Sequence, residues 1–166
     1  MIQRIQSILL LGVSICMGMV LAFYIWSEVN PETSTGILFS PIEMKVIDMG
    51  EMPQDSSDDV ITQTESTWYL AALAVAASLV ALFSIFQFNN RLNQMKLGAL
   101  NSLLMVSYLG VCFFKVNQFE EIVMPQVQGG FHLGFMLPAG ALILNAIANR
   151  FIRKDEKLVK SVDRIR

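Results

Sequence analysis

The sequence predicts an all-α membrane protein, a four-helix transmembrane bundle with an up-down-up-down topology. Long stretches of the chain lack charged residues, and their apolar residues form blocks instead of a helical or strand period. A helix rises about 1.5 Å per residue and the hydrocarbon core is about 30 Å thick, so each stretch is long enough, or nearly so, to cross it. We therefore expect four spans, at about 8–26, 69–88, 97–114 and 131–149.

The first span follows a single basic residue, Arg4, and resembles the start of a signal peptide. Its apolar run is too long for a typical signal sequence, and no A-x-A cleavage site ends it. We interpret it as an uncleaved membrane anchor.

The basic residues set the orientation of the spans. All of the 12 Lys and Arg residues except Lys45 and Lys115 lie at the chain ends or in the turn between spans two and three. Nine acidic residues lie in the segment 27–67, which leaves the opposite side strongly acidic. By the positive-inside rule, both the N- and C-termini are expected in the cytoplasm.

The segment 27–67 is expected to be an outer loop of about 40 residues, a length at which a chain buries little core of its own. Residues 36–40 and 44–48 could form a short β-hairpin around Pro41, although their alternation of polar and apolar residues is weak. We expect the loop to lean on the outer ends of the helices.

The remaining connections are short. Residues 89–96 predict a tight inner turn, which makes spans two and three antiparallel neighbours. Residues 115–130 form a second outer loop, and Pro138 lies inside span four, where it should kink the helix.

The tail 150–166 is basic but retains apolar residues on one helical face. It is expected to be a basic amphipathic cytoplasmic helix that continues span four or lies on the membrane. Its cations could serve topology alone, bind anionic lipid headgroups, or dock a membrane or cytoplasmic protein partner. Nucleic-acid binding would need a more strongly basic surface, so no nucleic acid is expected. The candidate surface comprises Arg91, Lys96, Arg153, Lys154, Lys157, Lys160, Arg164 and Arg166.

Within the spans, the chain has no ionisable residue at mid-depth that would mark a transport path. Asn101 and Asn145 are the costliest polar residues there and should face another helix, bonding to each other or to a neighbouring backbone. Cys16 and Cys112 are expected at depths about 10 Å apart, which is too far for a disulfide. No hydrolase, zinc or phosphate-loop motif occurs, so no catalytic residue, metal or cofactor is expected.

Three segments together resemble a known family: residues 1–7, residues 86–94 and the terminal motif KDEKLVKSVDRIR within 153–166. They are similar to an uncharacterised bacterial family of small four-span membrane proteins, described only as a domain of unknown function. The resemblance implies four spans, a bacterial inner membrane and nothing catalytic. In that membrane the 27–67 loop is expected to be periplasmic.

The function expected from these features is non-enzymatic. The protein would be an accessory or scaffolding membrane protein with the basic surface inside and 27–67 outside. The alternative is a small transporter or channel that acts as an oligomer, favoured by Pro138, Asn101 and Asn145 but opposed by the lack of charge at mid-membrane.

Overall fold

In the part of the chain that the structure describes, the protein has four long helices and five β-strands. The computed structural model describes residues 2–30, 34–49, 60–88, 90–123 and 129–163. The helices are α1 (Ile2–Met19, followed by a 3-10 turn at Val20–Ala22), α2 (Trp68–Phe86), α3 (Arg91–Val123) and α4 (Leu133–Asp163). The strands are β1 (Trp26–Asn30), β2 (Thr35–Phe39), β3 (Glu43–Asp48), β4 (Val60–Ser66) and β5 (Gly130–Phe131).

All four helices are long and apolar enough to cross a membrane. Only about 28–33% of the residues in their most apolar segments are buried inside the protein. Large apolar side chains therefore point outward as well; Leu79, Leu103 and Ile143, for example, are each about 60% exposed (59%, 63% and 64%). A helix that is apolar on every side is typical of a lipid environment, so the bundle is compatible with a multi-pass membrane protein.

The helices form a ring in which each packs against two neighbours: α1 against α2 and α4, and α3 against α2 and α4. Alanines at 74, 77 and 81 form the buried face of α2 and allow close approach. Where α1 and α2 meet, the Ser14 and Ser78 hydroxyls lie 2.9 Å apart and Ser78 Oγ donates to the Ser14 carbonyl. One end of the bundle contains the start of α1, the α2–α3 turn and the end of α4, and it is called the terminal end below.

The other end carries a five-stranded antiparallel sheet with the strand order β4-β3-β2-β1-β5. Its inner face places Trp26 opposite Phe39, and Phe39 opposite Met44, and all three side chains are buried against the helices. At the sheet edge farthest from β5, six of the seven residues of β4 are exposed.

The prediction of an all-α fold is therefore wrong. The segments 36–40 and 44–48 do form neighbouring strands, but they are only the middle of a larger sheet. Two features explain why the sequence pattern did not predict the whole sheet. In β4 the β-branched residues Val60, Ile61, Thr62 and Thr64 favour a strand. However, β4 has no buried face, so its sequence does not alternate between apolar and polar residues. In β5 the two residues pair with β1 across about a hundred positions of sequence, which no local pattern can reveal.

The sheet is attached to the bundle by several direct contacts. At the start of α4, the Gly134 amide donates to the Tyr24 carbonyl at 2.9 Å and the His132 amide donates to the Ile25 carbonyl at 2.9 Å. At the start of α2, the Thr67 amide donates to the Ile42 carbonyl at 2.9 Å. On α3, Lys115 Nζ lies 2.7 Å from Glu65 Oε1 of β4. These contacts connect the sheet to α2, α3 and α4.

Candidate functional site

A groove of about 710 Å³ lies between α3 and α4 at the terminal end and is called the basic groove below. It combines a cationic part with an apolar part and two polar side chains. Its lining residues are Met95, Ala99 and Ser102 of α3 and Ala146, Asn149, Arg150, Arg153, Lys154 and Lys157 of α4.

The helical period of α4 creates this lining. Ala146, Arg150, Arg153 and Lys157 follow one another at spacings of four, three and four residues, which places them on one helix face. Because α4 is one continuous helix from Leu133 to Asp163, its cations follow directly after the apolar residues that line the groove. The lining contains no acidic residue among those described. The arrangement therefore concentrates positive charge beside an apolar surface.

The predicted basic surface is divided by the structure. Arg153, Lys154 and Lys157 line the basic groove, whereas the exposed side chain of Lys96 does not. Arg91 has a different role, described below. The side chains of Lys160, Arg164 and Arg166 lie outside the described residues.

Arg91 binds α4 instead of facing the groove. Its Nη2 lies 3.2 Å from Asp155 Oδ2, and its Nη1 donates to the Asp155 carbonyl at 3.2 Å. The Asp155 carboxylate is thereby directed toward the start of α3 and does not line the basic groove. This contact joins the basic part of α4 to the α2–α3 turn.

The predicted basic surface lacks Arg150, Asn149 and the α3 residues that line the groove. Arg150 lies one helical turn before Arg153 and Lys154, and this spacing could have identified it. Met95, Ala99 and Ser102 gave no such signal, since only packing of α3 against α4 brings them to the groove.

The two predicted intramembrane asparagines differ in their contacts. Asn145 Nδ2 donates to the Gly98 carbonyl at 2.8 Å and to Ser102 Oγ at 2.8 Å. The sequence left open whether Asn145 bonds to Asn101 or to a neighbouring backbone, and in the structure it bonds to the Gly98 backbone. Within the described part of the chain, neither amide atom of Asn101 has a hydrogen-bond partner, although the residue is only 1% exposed.

Other polar groups also lie in the core toward the terminal end. Gln6, Ser84 and Gln94 are buried, and Gln94 Nε2 donates to the Ser84 carbonyl at 3.1 Å. In the residues that the structure covers, Gln6 Nε2, Ser84 Oγ and Asn145 Oδ1 have no partner. A buried polar group without a hydrogen-bond partner lowers the free energy of unfolding. This part of the core is therefore polar, and its hydrogen-bonding groups are only partly paired.

A smaller groove of about 220 Å³ lies at the sheet end, beside Tyr24, Leu38 and Ser40. Its charged residues, Glu43 and Lys45, form an ion pair with each other. The hydrogen bond that Lys45 donates to the Glu43 carboxylate raises the pKa of Lys45 above its usual value. Because the two charges compensate, this groove has no excess charge for a ligand. Across the described ranges, no three His, Cys, Asp or Glu residues are grouped as a metal site would require.

The fold and the groove define a class of protein: four antiparallel helices of membrane-spanning length, with a small antiparallel sheet at one end and a basic groove at the other. The family model described as a domain of unknown function, DUF4293, matches residues 2–165, which is nearly the whole chain. The protein therefore belongs to this family, which confirms the expected relation to an uncharacterised domain family. No curated protein matches the chain.

Proposed function

We propose that the protein is a non-enzymatic accessory or scaffolding protein of the bacterial cytoplasmic membrane, with both termini in the cytoplasm. The outward apolar faces of the helices support membrane insertion. The excess of Lys and Arg at the terminal end supports the orientation, because cytoplasmic segments retain basic residues. In this arrangement the sheet lies in the periplasm.

The observation that carries the proposal is the rigid attachment of an extramembrane surface at the terminal end. Helix α4 extends past its apolar segment, and Arg91 holds the Asp155 side chain and carbonyl 3.2 Å away. The cations Arg153, Lys154 and Lys157 thus have a defined position relative to the bundle. A fixed charged surface suits docking better than a mobile tail does, because less conformational entropy is lost on binding.

The sheet supports a second surface on the periplasmic side. It is joined to α2, α3 and α4 by hydrogen bonds and by the Lys115–Glu65 ion pair. Its edge strand β4 leaves Val60 and Ile61 exposed by 61% and 54%. Two attached surfaces on opposite sides of a membrane are what a scaffold requires.

The proposal is tested by copurification after gentle detergent extraction. The intact chain is compared with a chain that lacks residues 150–166 and with the variant Lys96→Gln, which removes a cation outside the basic groove. Reporter fusions first verify that each chain keeps its topology. We expect partners to be lost only with the deletion; if the deleted chain retains the same partners, cytoplasmic docking is wrong.

The second candidate is a small transporter or channel acting as an oligomer, and Asn101 is the observation that favours it. A buried amide without a partner among the described residues is a polar group that a permeating solute could use. Flux into liposomes distinguishes the two functions. A flux that is abolished by Asn101→Leu or Asn145→Leu would support transport, and its absence from the unmodified protein favours the scaffold.

A further inference from the structure

We propose that the basic groove binds one anionic phospholipid, with its phosphate among the cations of α4 and an acyl chain along the apolar part. This inference rests on the proposed location in the membrane. It adds a specific ligand class to the groove, beyond a role in scaffolding.

The charges of the groove favour an anion. Arg150, Arg153, Lys154 and Lys157 line the same cavity, with no acidic residue in the described lining. The adjacent carboxylate of Asp155 does not line the groove and binds Arg91. Like charges held on one helix face repel one another, and a phosphate placed between them relieves this repulsion through charge-assisted hydrogen bonds.

The apolar part selects a lipid over a soluble phosphate. Met95, Ala99 and Ala146 line it, and Ala99 and Ala146 are exposed. Their small side chains leave an open furrow between α3 and α4 that begins directly beside Arg150. A furrow of this kind accommodates a hydrocarbon chain, and basic pockets between membrane helices on the cytoplasmic side are suited to anionic headgroups.

The depth of the furrow also argues against a soluble protein as the occupant. Ala99 and Ala146 both lie in the predicted spans 97–114 and 131–149, whereas Arg150 and the other cations of the groove follow the last span. A cytoplasmic protein could reach the cations but not this part. A phospholipid reaches both, because its phosphate is at the interface and its chains are in the hydrocarbon core.

The test measures lipid selectivity of the full-length protein in phosphatidylcholine vesicles. Spin-labelled phosphatidylglycerol and spin-labelled phosphatidylcholine report the lipid held at the protein surface. Three variants are compared with the unmodified chain. Arg153→Gln combined with Lys154→Gln removes charge from the groove, Ala146→Phe fills its apolar part, and Lys96→Gln removes an exposed cation that does not line it.

We expect the double variant to lower the preference for phosphatidylglycerol at least about fivefold, since one basic residue near an anionic lipid contributes roughly that factor. Ala146→Phe should lower binding while leaving every charge in place, and Lys96→Gln should have little effect. The proposal is overturned if the two groove variants keep full selectivity, or if Lys96→Gln reduces it equally. It is also overturned if soluble glycerol phosphate displaces the lipid, because the ligand would then be a free phosphate ester.

Failure of this inference is distinct from failure of the proposed function. A protein that inserts with cytoplasmic termini and retains its partners, yet shows no lipid selectivity, refutes only the lipid site. A protein that never enters the membrane fraction refutes the scaffold as well. Circular dichroism of each variant verifies folding, and the charge and size variants give two independent tests.

Discussion

Arg91, the first residue of α3, binds Asp155 near the end of α4 through two contacts of 3.2 Å, one to the carboxylate and one to the carbonyl. These two residues join the α2–α3 turn to the basic part of α4. The same contact keeps the Asp155 carboxylate out of the lining of the basic groove. One ion pair therefore serves both the rigidity of α4 and the charge of the groove.

Removing this ion pair should loosen the end of α4. We expect Arg91→Ala to destabilise the α4 extension by about 1 kcal/mol, since the pair is partly buried and includes a backbone hydrogen bond. Amide hydrogen exchange over residues 150–159 measures the effect, with Lys96→Ala as the matched control on the same helix. Equal protection in Arg91→Ala and in the unmodified protein would contradict this role.

The two asparagines of the core should respond differently to the same substitution. Asn145→Leu removes two hydrogen bonds between α4 and α3 and should destabilise the protein by about 1 kcal/mol. Asn101→Leu should be neutral or stabilising, because it replaces an amide without a partner among the described residues. Thermal unfolding in detergent compares the two variants. If Asn101→Leu lowers stability as much as Asn145→Leu does, then the Asn101 amide makes a hydrogen bond that is not among those of the described residues.

Two glycines of α4 provide a test of the contact between the bundle and the sheet. A Cβ at Gly134 would lie 2.6 Å from the Tyr24 carbonyl oxygen and 2.8 Å from that of Phe23. Gly134→Ala should therefore displace backbone and destabilise the protein by about 1–3 kcal/mol. Gly140→Ala is the control, because a Cβ there meets nothing within 4 Å, and it should be neutral or slightly stabilising. Similar melting temperatures for both variants would argue against a close approach at Gly134.

The Lys115–Glu65 ion pair links α3 to the edge strand β4 at 2.7 Å. We expect Glu65→Lys to reduce hydrogen-exchange protection of the β4 amides, because it places two like charges together. The exchanged pair, Glu65→Lys with Lys115→Glu, should restore most of that protection. High salt should weaken both effects. If the double variant is as unprotected as the single one, the two side chains do not interact in solution.

The positions of the apolar helices follow from the sequence because hydrophobicity is a property of each local stretch. The predicted segments 8–26, 69–88, 97–114 and 131–149 each overlap a helix that is long and apolar enough to cross a membrane. The helices α3 and α4 extend beyond these segments, to Arg91–Val123 and Leu133–Asp163. Hydropathy marks the apolar part of a helix, whereas hydrogen bonding decides where the helix ends.

The sheet and the basic groove were decided by tertiary structure. The pairing of Trp26 with Phe131 joins residues that are distant in sequence, and the exposed strand β4 lacks the alternation by which a half-buried strand is recognised. The groove needs Ala99 of α3 beside Ala146 of α4, and Arg91 reaches Asp155 only when these helices pack. Local composition determined which segments are helical and which side is basic. Contacts between distant segments determined where those charges meet an apolar surface.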